Sequence, residues 1–165
     1  MVYVVGETRN ELGASMFYAI RGELGANVPV VRPAEGRKIF DALSACTADR
    51  LVRSCHDLSD GGFAAALAEM AFAGNLGADV DASGIAAEAG LADHAILFSE
   101  SPSRFIVEVA PAQVDNFEAA MAGVPCTRIG EVTERRQVVV RREGRTVISA
   151  DVRRLKEAWQ APLAF

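Results

Sequence analysis

Three β-compatible segments follow one another between residues 127 and 151, and this run limits the possible folds more than any other pattern in the chain. They read TRIGEVTE, RQVVVRREG and RTVISAD, with turn residues near Glu134–Arg135 and at Glu143–Gly144. The run predicts consecutive antiparallel strands. Earlier in the chain, strand and helix patterns alternate. We therefore expect an α+β fold, a mixed sheet with helices packed on it, in one domain over residues 1–165.

The alternating part predicts individual elements. Strands are expected at MVYVVG, LVRSCHD, LGADVDASG, HAILF and Arg104–Val109. Helices are expected in residues 15–24, 36–51, 62–75, 112–123 and 152–160, the last of which should pin Leu155 and Trp159 onto the body of the domain. The segment 62–75 is rich in strong helix formers and ends in Gly74-Asn75, a pair that accepts the left-handed conformation.

Composition excludes several classes of function. The formal net charge of −5 argues against nucleic acid as a partner, because such a surface needs clustered Lys and Arg. Cys46, Cys55 and Cys126 are far apart and form no CxxC pair, so we expect reduced thiols and no zinc site. The sequence shows neither a signal peptide nor a membrane-spanning run, and we expect a soluble, cytoplasmic protein with no membrane partner.

The stretch SCHDLSDGGFAAALAEM contains the first candidate site. Asp57 ends a predicted strand, and Asp60 precedes Gly61, Gly62 and a helix. Carboxylates at a strand end suit a hard cation such as Mg²⁺ with substrate phosphates, and a helix N-terminus adds amide donors. The alternative is structural, because Asp60 would then cap the helix. The residues alone leave both readings open.

Two polar loops are further candidates. In FSESPSRF, Ser99, Glu100 and Ser101 could bind an anion or a metal-bound phosphate, or Glu100 could simply pair with Arg104 across a turn. In GETRNELGAS, the polar side chains, among them Ser15, could line a pocket or lie on a plain surface loop. The spacing of residues indicates no nucleophile–base pair, and we predict no catalytic residue in this chain.

Three blocks together resemble the last domain of the phosphoribosylformylglycinamidine synthase family (synthetase subunit): VYVVGETRNELGAS, HDLSDGGFAAALAEMA and LFSESPSRFIVEV. RIGEV at 128–132 and LKEAW at 155–159 support the resemblance, which covers nearly the whole chain. The wider aminoimidazole ribonucleotide synthetase-like superfamily also includes thiamine-monophosphate kinase, selenophosphate synthetase and a hydrogenase maturation protein. The resemblance implies the C-terminal α/β domain of such an enzyme.

The activity that the resemblance implies is that of an ATP-dependent amidoligase of de novo purine biosynthesis. The whole enzyme would convert formylglycinamide ribonucleotide, ATP and ammonia from glutamine into formylglycinamidine ribonucleotide, ADP and phosphate, with Mg²⁺. The chain would then be a fragment, inactive alone. Its partners would be the missing ATP-binding and first-half domains and a glutaminase subunit or domain. We also expect the fragment to self-associate through exposed apolar surface.

The resemblance also implies roles for particular residues. Asp57 is the expected Mg²⁺ contact, within a nucleotide- and metal-binding turn that includes Asp60, Gly61 and Gly62. Ser15, Glu100 and Ser101 are the expected contacts to substrate or phosphate.

Two departures from the family pattern qualify these roles. Pro102 stands where the family has Gln after Glu-Ser, and Ala14 stands where the family has Gly. Three alternatives remain open. The acidic turn could hold a structural nucleotide or only cap a helix. The chain could also belong to a related small-molecule kinase such as thiamine-monophosphate kinase, or serve as a purely structural partner domain.

Overall fold

The structure is a computed structural model that describes residues 1–163, and it confirms the α+β class with a seven-stranded mixed sheet that carries helices on both faces. The strands are β1 (Val2–Val5), β2 (Val52–Asp57), β3 (Gly77–Asp81), β4 (Phe105–Val109), β5 (Cys126–Thr133), β6 (Gln137–Arg142) and β7 (Arg145–Asp151). The α-helices are α1 (Met16–Ala19), α2 (Pro33–Ala48), α3 (Gly62–Gly74), α4 (Asp93–Phe98), α5 (Val114–Ala120) and α6 (Val152–Gln160). Among residues 1–163, no helix has the length and apolar character needed to cross a membrane.

The order of strands in the sheet is β2-β4-β1-β5-β3-β6-β7, and β3–β6 is the parallel pair. The hairpin of β6 and β7 turns at Glu143 and Gly144, as predicted, and both residues adopt positive φ. The prediction that the last three strands pair consecutively was wrong for β5 and β6. β5 pairs with β1 and β3, and β3 lies between β5 and β6.

Gly77, at the start of β3, explains how the chain passes from β5 to β6. The connection of residues 134–136 crosses this end of β3. A Cβ atom built on Gly77 would lie 1.8 Å from the carbonyl oxygen of Arg135 and 2.5 Å from that of Gln137. Only a residue without a side chain allows so close a crossing. The turn residues near 134–135 therefore reverse the chain over another strand instead of closing a hairpin.

Two other predicted elements differ from the structure. The segment HAILF was predicted as a strand, but it lies in α4, which packs against α3. Its apolar residues Ala95, Ile96 and Leu97 are all buried, and a short, continuous apolar run does not distinguish a strand from a helix by periodicity. The helix predicted over residues 15–24 is the single turn α1. Gly22 and Gly25, both at φ +70°, follow it in the left-handed region.

Two apolar cores lie on opposite faces of the sheet, as the alternation of β1 requires. Val2 and Val4 face α3, α4 and α6, whereas Tyr3 and Val5 face α2 and α5. Phe63 at the start of α3 and Phe117 in α5 are fully buried and anchor one core each. Leu155 packs on the first core, and the ring of Trp159 lies 5.4 Å from that of Phe72, so α6 is pinned as expected. The first core fixes the N-terminus of α3, where the candidate site begins.

Candidate functional site

The carboxylate of Glu100 joins the three loops that the sequence singles out. Its Oε1 accepts a hydrogen bond from the backbone N–H of Gly61 at 2.9 Å and another from the backbone N–H of Met16 at 3.0 Å. The backbone N–H of Glu100 itself donates to the carbonyl oxygen of Glu11 at 3.2 Å. The loop of residues 6–16, the acidic turn 57–62 and the loop 99–104 therefore meet at one side chain. We call this arrangement the Glu100 joint.

The acidic turn is shaped by its two glycines. β2 ends where the N–H of Leu58 donates to the carbonyl oxygen of Arg104 at 2.9 Å, and Gly61 and Gly62 then adopt φ +76° and +61°. A Cβ atom on Gly62 would lie 2.4 Å from the carbonyl oxygen of Ser99, so the loop 99–104 packs directly on this turn. The tight contact and the positive φ both require glycine.

Asp60 does not cap α3, and the structural reading of that residue was wrong. Gly61 is the N-cap of α3, and no side chain accepts a hydrogen bond in the usual capping geometry. The carboxylate of Glu100 lies at this helix terminus instead, where a negative charge is favourable. Asp60 itself is exposed. Its place in a nucleotide site stays a prediction.

Asp57 lies at the carboxyl end of β2, and 60% of its side chain is exposed. A hydrogen bond from the Ser59 hydroxyl holds the pKa of Asp57 below its ordinary value. Burial opposes this effect, and the residue's own backbone amide and the neighbouring His56 add smaller lowering effects. Nδ1 of His56 lies 3.3 Å from Oδ1 of Asp57, and Nε2 of His56 lies 2.8 Å from Oε2 of Glu69. Asp57 is therefore an ionised, accessible carboxylate.

The described part of the chain does not build a metal site by itself. Within residues 1–163, no three His, Cys, Asp or Glu side chains are grouped so that they could hold a metal ion. Mg²⁺ commonly binds one or two protein carboxylates together with water and substrate phosphates. Asp57 fits the role of one such carboxylate, so the other ligands would have to come from elsewhere.

Ser101 and Ser99 are fully buried, and their hydroxyl groups bond within the chain. The Ser99 hydroxyl donates to the carbonyl oxygen of Arg9 at 2.7 Å and lies 3.1 Å from the Ser101 hydroxyl. The backbone N–H of Arg9 donates to Oγ of Ser101 at 3.1 Å. These bonds attach the loop 6–16 to the loop 99–104, so contact of Ser101 with a ligand would require them to rearrange.

Ser15 is also buried, and it is the N-cap of α1, with its Oγ accepting a hydrogen bond from the N–H of Tyr18 at 3.4 Å. Ala14 before it has φ +60°, a left-handed conformation that favours glycine. The departure from the family pattern at this position therefore has a physical cost, because Ala14 occupies a conformation that suits the expected Gly.

Arg104 is a component of the site whose role the sequence did not reveal. Its side chain is only 2% exposed and donates to the carbonyl oxygens of Ser99 and Ser101 and, at 2.8 Å, to Oγ1 of Thr8. Burial lowers the pKa of this guanidinium to about 10. Among residues 1–163, no carboxylate forms an ion pair with it, so the predicted pairing with Glu100 was wrong. An Arg that opens an apolar strand gives no sequence signal of this role.

Glu11 is a second residue that the sequence did not single out. It is 5% exposed, and its Oε1 accepts hydrogen bonds from the guanidinium of Arg32 at 2.9 Å and the N–H of Val30 at 3.3 Å. Its Oε2 is buried without a hydrogen-bond partner in the described residues. A buried carboxylate oxygen of this kind can accept a donor from a bound molecule or from an adjoining domain.

The mixed sheet and the Glu100 joint describe an α+β domain whose three candidate loops meet at one side chain. Residues 1–143 match the family described as AIR synthase related protein, C-terminal domain, and the chain belongs to that family.

Two curated relatives match this chain over nearly its whole length. The phosphoribosylformylglycinamidine synthase subunit PurL of Carboxydothermus hydrogenoformans is 33% identical over 168 residues, which cover 100% of this chain and 22% of that protein. PurL of Thermobifida fusca is 40% identical over 174 residues, which cover 99% of this chain and 20% of that protein. The chain thus spans about a fifth of the length of these relatives.

Two solved structures share the fold. PurL of Thermotoga maritima complexed with FGAR superposes with a TM-score of 0.81 at 24% identity, covering 93% of this chain and 27% of that one. The hydrogenase maturation protein HypE superposes with a TM-score of 0.63 at 14% identity, covering 91% of this chain and 52% of that one. At these identities the structural likeness establishes the fold alone.

Proposed function

We propose that this chain is the C-terminal domain of a cytoplasmic, ATP-dependent amidoligase that makes formylglycinamidine ribonucleotide. The whole enzyme would use formylglycinamide ribonucleotide, ammonia released from glutamine, and ATP, and would release ADP and phosphate. The PurL relatives at 33% and 40% identity support this reaction over the kinase alternative. The spacing of residues indicates no nucleophile–base pair, so we infer that the domain is inactive without its partner domains.

The Glu100 joint is the observation that carries the proposal. It brings together the three blocks on which the family resemblance depends, and one carboxylate oxygen bonds to two of them. Because the three blocks contact one another, they form one structural unit, which is not expected of three unrelated surface loops. We infer that the joint fixes the acidic turn against the loop 6–16 and so presents Asp57 in a defined position.

Asp57 is the side chain that we propose for Mg²⁺ and nucleotide phosphate. It is ionised, and its side chain is exposed, as a carboxylate that contacts Mg²⁺ and phosphate must be. Thermotoga maritima PurL has been solved in complexes with ATP and with ADP, which supports nucleotide binding by enzymes of this kind. The remaining Mg²⁺ ligands would come from the nucleotide, from water and from the other domains of the enzyme.

The partner domains would dock on an exposed apolar segment that follows Ser15. Residues 16–31 expose six large apolar side chains, of Met16, Ile20, Leu24, Val28, Val30 and Val31. A soluble surface rarely exposes so many in one stretch without an interaction partner. The segment begins at the Glu100 joint, so a domain docked there would also reach the acidic turn. A glutaminase subunit is a further proposed partner, and a structure named PurLQS from Thermotoga maritima supports an assembly of this type.

The test compares the full-length enzyme that contains this domain with its Asp57→Ala, Asp60→Ala and Asp115→Ala variants. Asp115, in the first turn of α5, is the matched acidic control. Substrate-dependent release of ADP is measured with ammonia supplied directly, and the melting temperature is measured on the same samples.

We expect Asp57→Ala to lower turnover by at least tenfold at an unchanged melting temperature, and Asp115→Ala to change neither. Normal turnover in the Asp57 variant with a lowered melting temperature would refute a role in the working site. The turn would then have only a structural role, as expected if the chain is a purely structural partner domain. Absence of substrate-dependent ADP release in the unaltered enzyme would refute the proposed reaction itself.

A further inference from the structure

The imidazole ring of His56 lies between the acidic turn and α3 and contacts both. Its Nε2 lies 2.8 Å from Oε2 of Glu69. Its Nδ1 lies 2.7 Å from the backbone carbonyl oxygen of Asp57 and 3.3 Å from Oδ1 of the Asp57 carboxylate. Both ring nitrogens therefore face oxygen atoms that accept hydrogen bonds, so an N–H at either position has a partner.

The carbonyl oxygen of Asp57 is available for this contact because it points away from β4. The N–H of Leu58 donates to the carbonyl oxygen of Arg104, so Leu58 is the residue that bonds across the pair at this level. In an antiparallel pair, successive residues direct their backbone groups alternately towards and away from the neighbouring strand. The backbone groups of Asp57 are thus on the outer side of β2, where the ring of His56 reaches them.

Glu69 supports the ring from the other side, and α3 holds Glu69 in place. Glu69 lies in the middle of α3, and Phe63 near the start of that helix is fully buried in the first core. A side chain on a packed helix gives firmer support than a side chain on a loop. A continuous series of contacts therefore runs from α3 through His56 to the carboxylate of Asp57.

A carboxylate as exposed as that of Asp57 needs such support to keep one orientation. Without it, the side chain would turn freely, and a ligand would have to fix it at a cost in conformational entropy. Ligating carboxylates in proteins are hydrogen-bonded by residues behind them, and loss of such a residue commonly lowers metal affinity by about 10–100-fold. His56 occupies this place behind Asp57, with Glu69 behind His56.

We propose that His56 and Glu69 are positioning residues for Asp57. Glu69 fixes the ring of His56, and the ring fixes the carboxylate of Asp57 in the orientation in which it would contact Mg²⁺ and phosphate. The inference rests on the proposed function, because it takes Asp57 as the Mg²⁺ contact. A purely structural link between β2 and α3 would instead contribute to stability and leave metal affinity unchanged.

The first experiment measures Mg²⁺ binding to the full-length enzyme that contains this domain. Isothermal titration calorimetry in the presence of saturating ADP gives the Mg²⁺ dissociation constant, and the binding step that Asp57→Ala weakens identifies the site. The other variants are His56→Ala, Glu69→Ala, Glu69→Gln and the double variant His56→Ala with Glu69→Ala. The melting temperature is measured on the same samples without ligand.

Glu118→Ala is the matched control. Glu118 of α5 accepts a hydrogen bond at 2.7 Å from the hydroxyl group of Tyr3 in β1. Its replacement therefore also breaks a contact between a helix glutamate and a ring on a strand, but on the opposite face of the sheet from α3. We expect this variant to lower the melting temperature and to leave the Mg²⁺ dissociation constant unchanged.

We expect His56→Ala and Glu69→Ala each to raise the Mg²⁺ dissociation constant by about tenfold. Glu69→Gln keeps an acceptor oxygen for the ring, so it should recover much of the lost affinity. The double variant should bind no more weakly than His56→Ala alone, because Glu69 acts through the ring.

The outcomes separate this inference from the proposed function. If Asp57→Ala leaves the constant unchanged, Asp57 is not a Mg²⁺ contact, and both are refuted. If Asp57→Ala raises the constant while His56→Ala and Glu69→Ala lower only the melting temperature, the positioning role alone is refuted. An effect of His56→Ala that Glu69→Ala does not share would overturn the role of Glu69.

A second experiment observes the ring itself in the 165-residue chain by nuclear magnetic resonance. The chain has two histidines, His56 and His94, so one His94→Gln variant assigns both rings. We expect Asp57→Asn and Glu69→Gln each to shift the ring ¹⁵N resonances of His56. Those of His94 should stay unchanged, because that ring stacks on Phe17 instead. Resonances of His56 that respond to neither substitution would overturn the contacts on which the proposal depends.

Discussion

Replacement of Glu100 by alanine should destabilise the domain because one carboxylate oxygen satisfies two backbone amides from different loops. The bonds to Gly61 and Met16 are 2.9 and 3.0 Å long. A hydrogen bond to a charged acceptor contributes about 1.5–3 kcal/mol when buried. Since these amides are partly exposed, we take about 1 kcal/mol for each bond. The negative charge at the N-terminus of α3 adds about 0.5 kcal/mol.

The expected loss for Glu100→Ala is therefore about 2.5 kcal/mol in the free energy of unfolding. For a chain of this size that corresponds to a fall of about 8 °C in melting temperature. Glu100→Gln keeps an acceptor oxygen but removes the charge, so it should lose about 1 kcal/mol. The difference in unfolding free energy between the two variants separates the contribution of the hydrogen bonds from that of the charge.

Urea unfolding of the 165-residue chain, followed by circular dichroism, measures these differences. Glu134→Ala is the matched control, because Glu134 is exposed and takes part in none of the side-chain hydrogen bonds or ion pairs of residues 1–163. We expect its unfolding free energy to stay within about 0.5 kcal/mol of the unaltered chain. If Glu100→Ala also stays within that range, Glu100 does not hold the three loops together, and the joint loses its role in the proposed function.

Three further predictions concern the turns of the site. Gly62→Ala should cost about 3 kcal/mol or more in unfolding free energy, because its Cβ would meet a backbone oxygen at 2.4 Å. Gly90→Ala, with a similar φ and no atom within 4 Å, should cost about 1 kcal/mol by the same urea assay, and equal losses would contradict the predicted clash. Ala14→Gly should raise stability by about 0.5 kcal/mol, the relief of left-handed strain less the added chain entropy, and a loss would contradict the strain. Asp57→Asn should remove stability that is present above the ordinary carboxyl pKa of 3.8 and disappears as pH falls through the lower pKa of the folded state. Urea midpoints of the two proteins should thus differ near neutral pH and converge in acid, and a difference that persists in acid would contradict the hydrogen-bond explanation.

The sequence predicted most elements from local pattern but not which strands become neighbours. Helix formers over residues 62–75 and the apolar strand of residues 1–6 were sufficient to locate α3 and β1. The insertion of β3 between β5 and β6 depends on a crossing at Gly77, and turn residues near 134–135 are equally consistent with a hairpin. α4 was mistaken for a strand because its buried residues Ala95, Ile96 and Leu97 are consecutive, and so short an apolar run shows no periodicity that distinguishes a helix from a strand.

The same limit applies to the candidate site. Each of its loops was recognised separately, because glycines and carboxylates in short polar stretches are visible in a sequence. Their meeting at Glu100 depends on tertiary contacts between distant residues, such as Glu100 and Met16, which are 84 positions apart. Arg104 and Glu11 were missed for the same reason, because a buried charged residue is identified by its surroundings and not by its neighbours in the chain.

The hydrogen bonds of the site divide its residues between structure and binding. Ser15, Ser99 and Ser101 are buried, and their hydroxyl groups bond to the chain itself, so their hydrogen-bonding capacity is already used. Asp57 has its carboxylate exposed beyond its contacts with Ser59 and His56. A ligand that approaches this face therefore meets Asp57 first, while the serines keep the loops beneath it in place. A variant of one of these serines should therefore lower the free energy of unfolding more than it weakens ligand binding. An Asp57 variant should weaken ligand binding more than it lowers the free energy of unfolding.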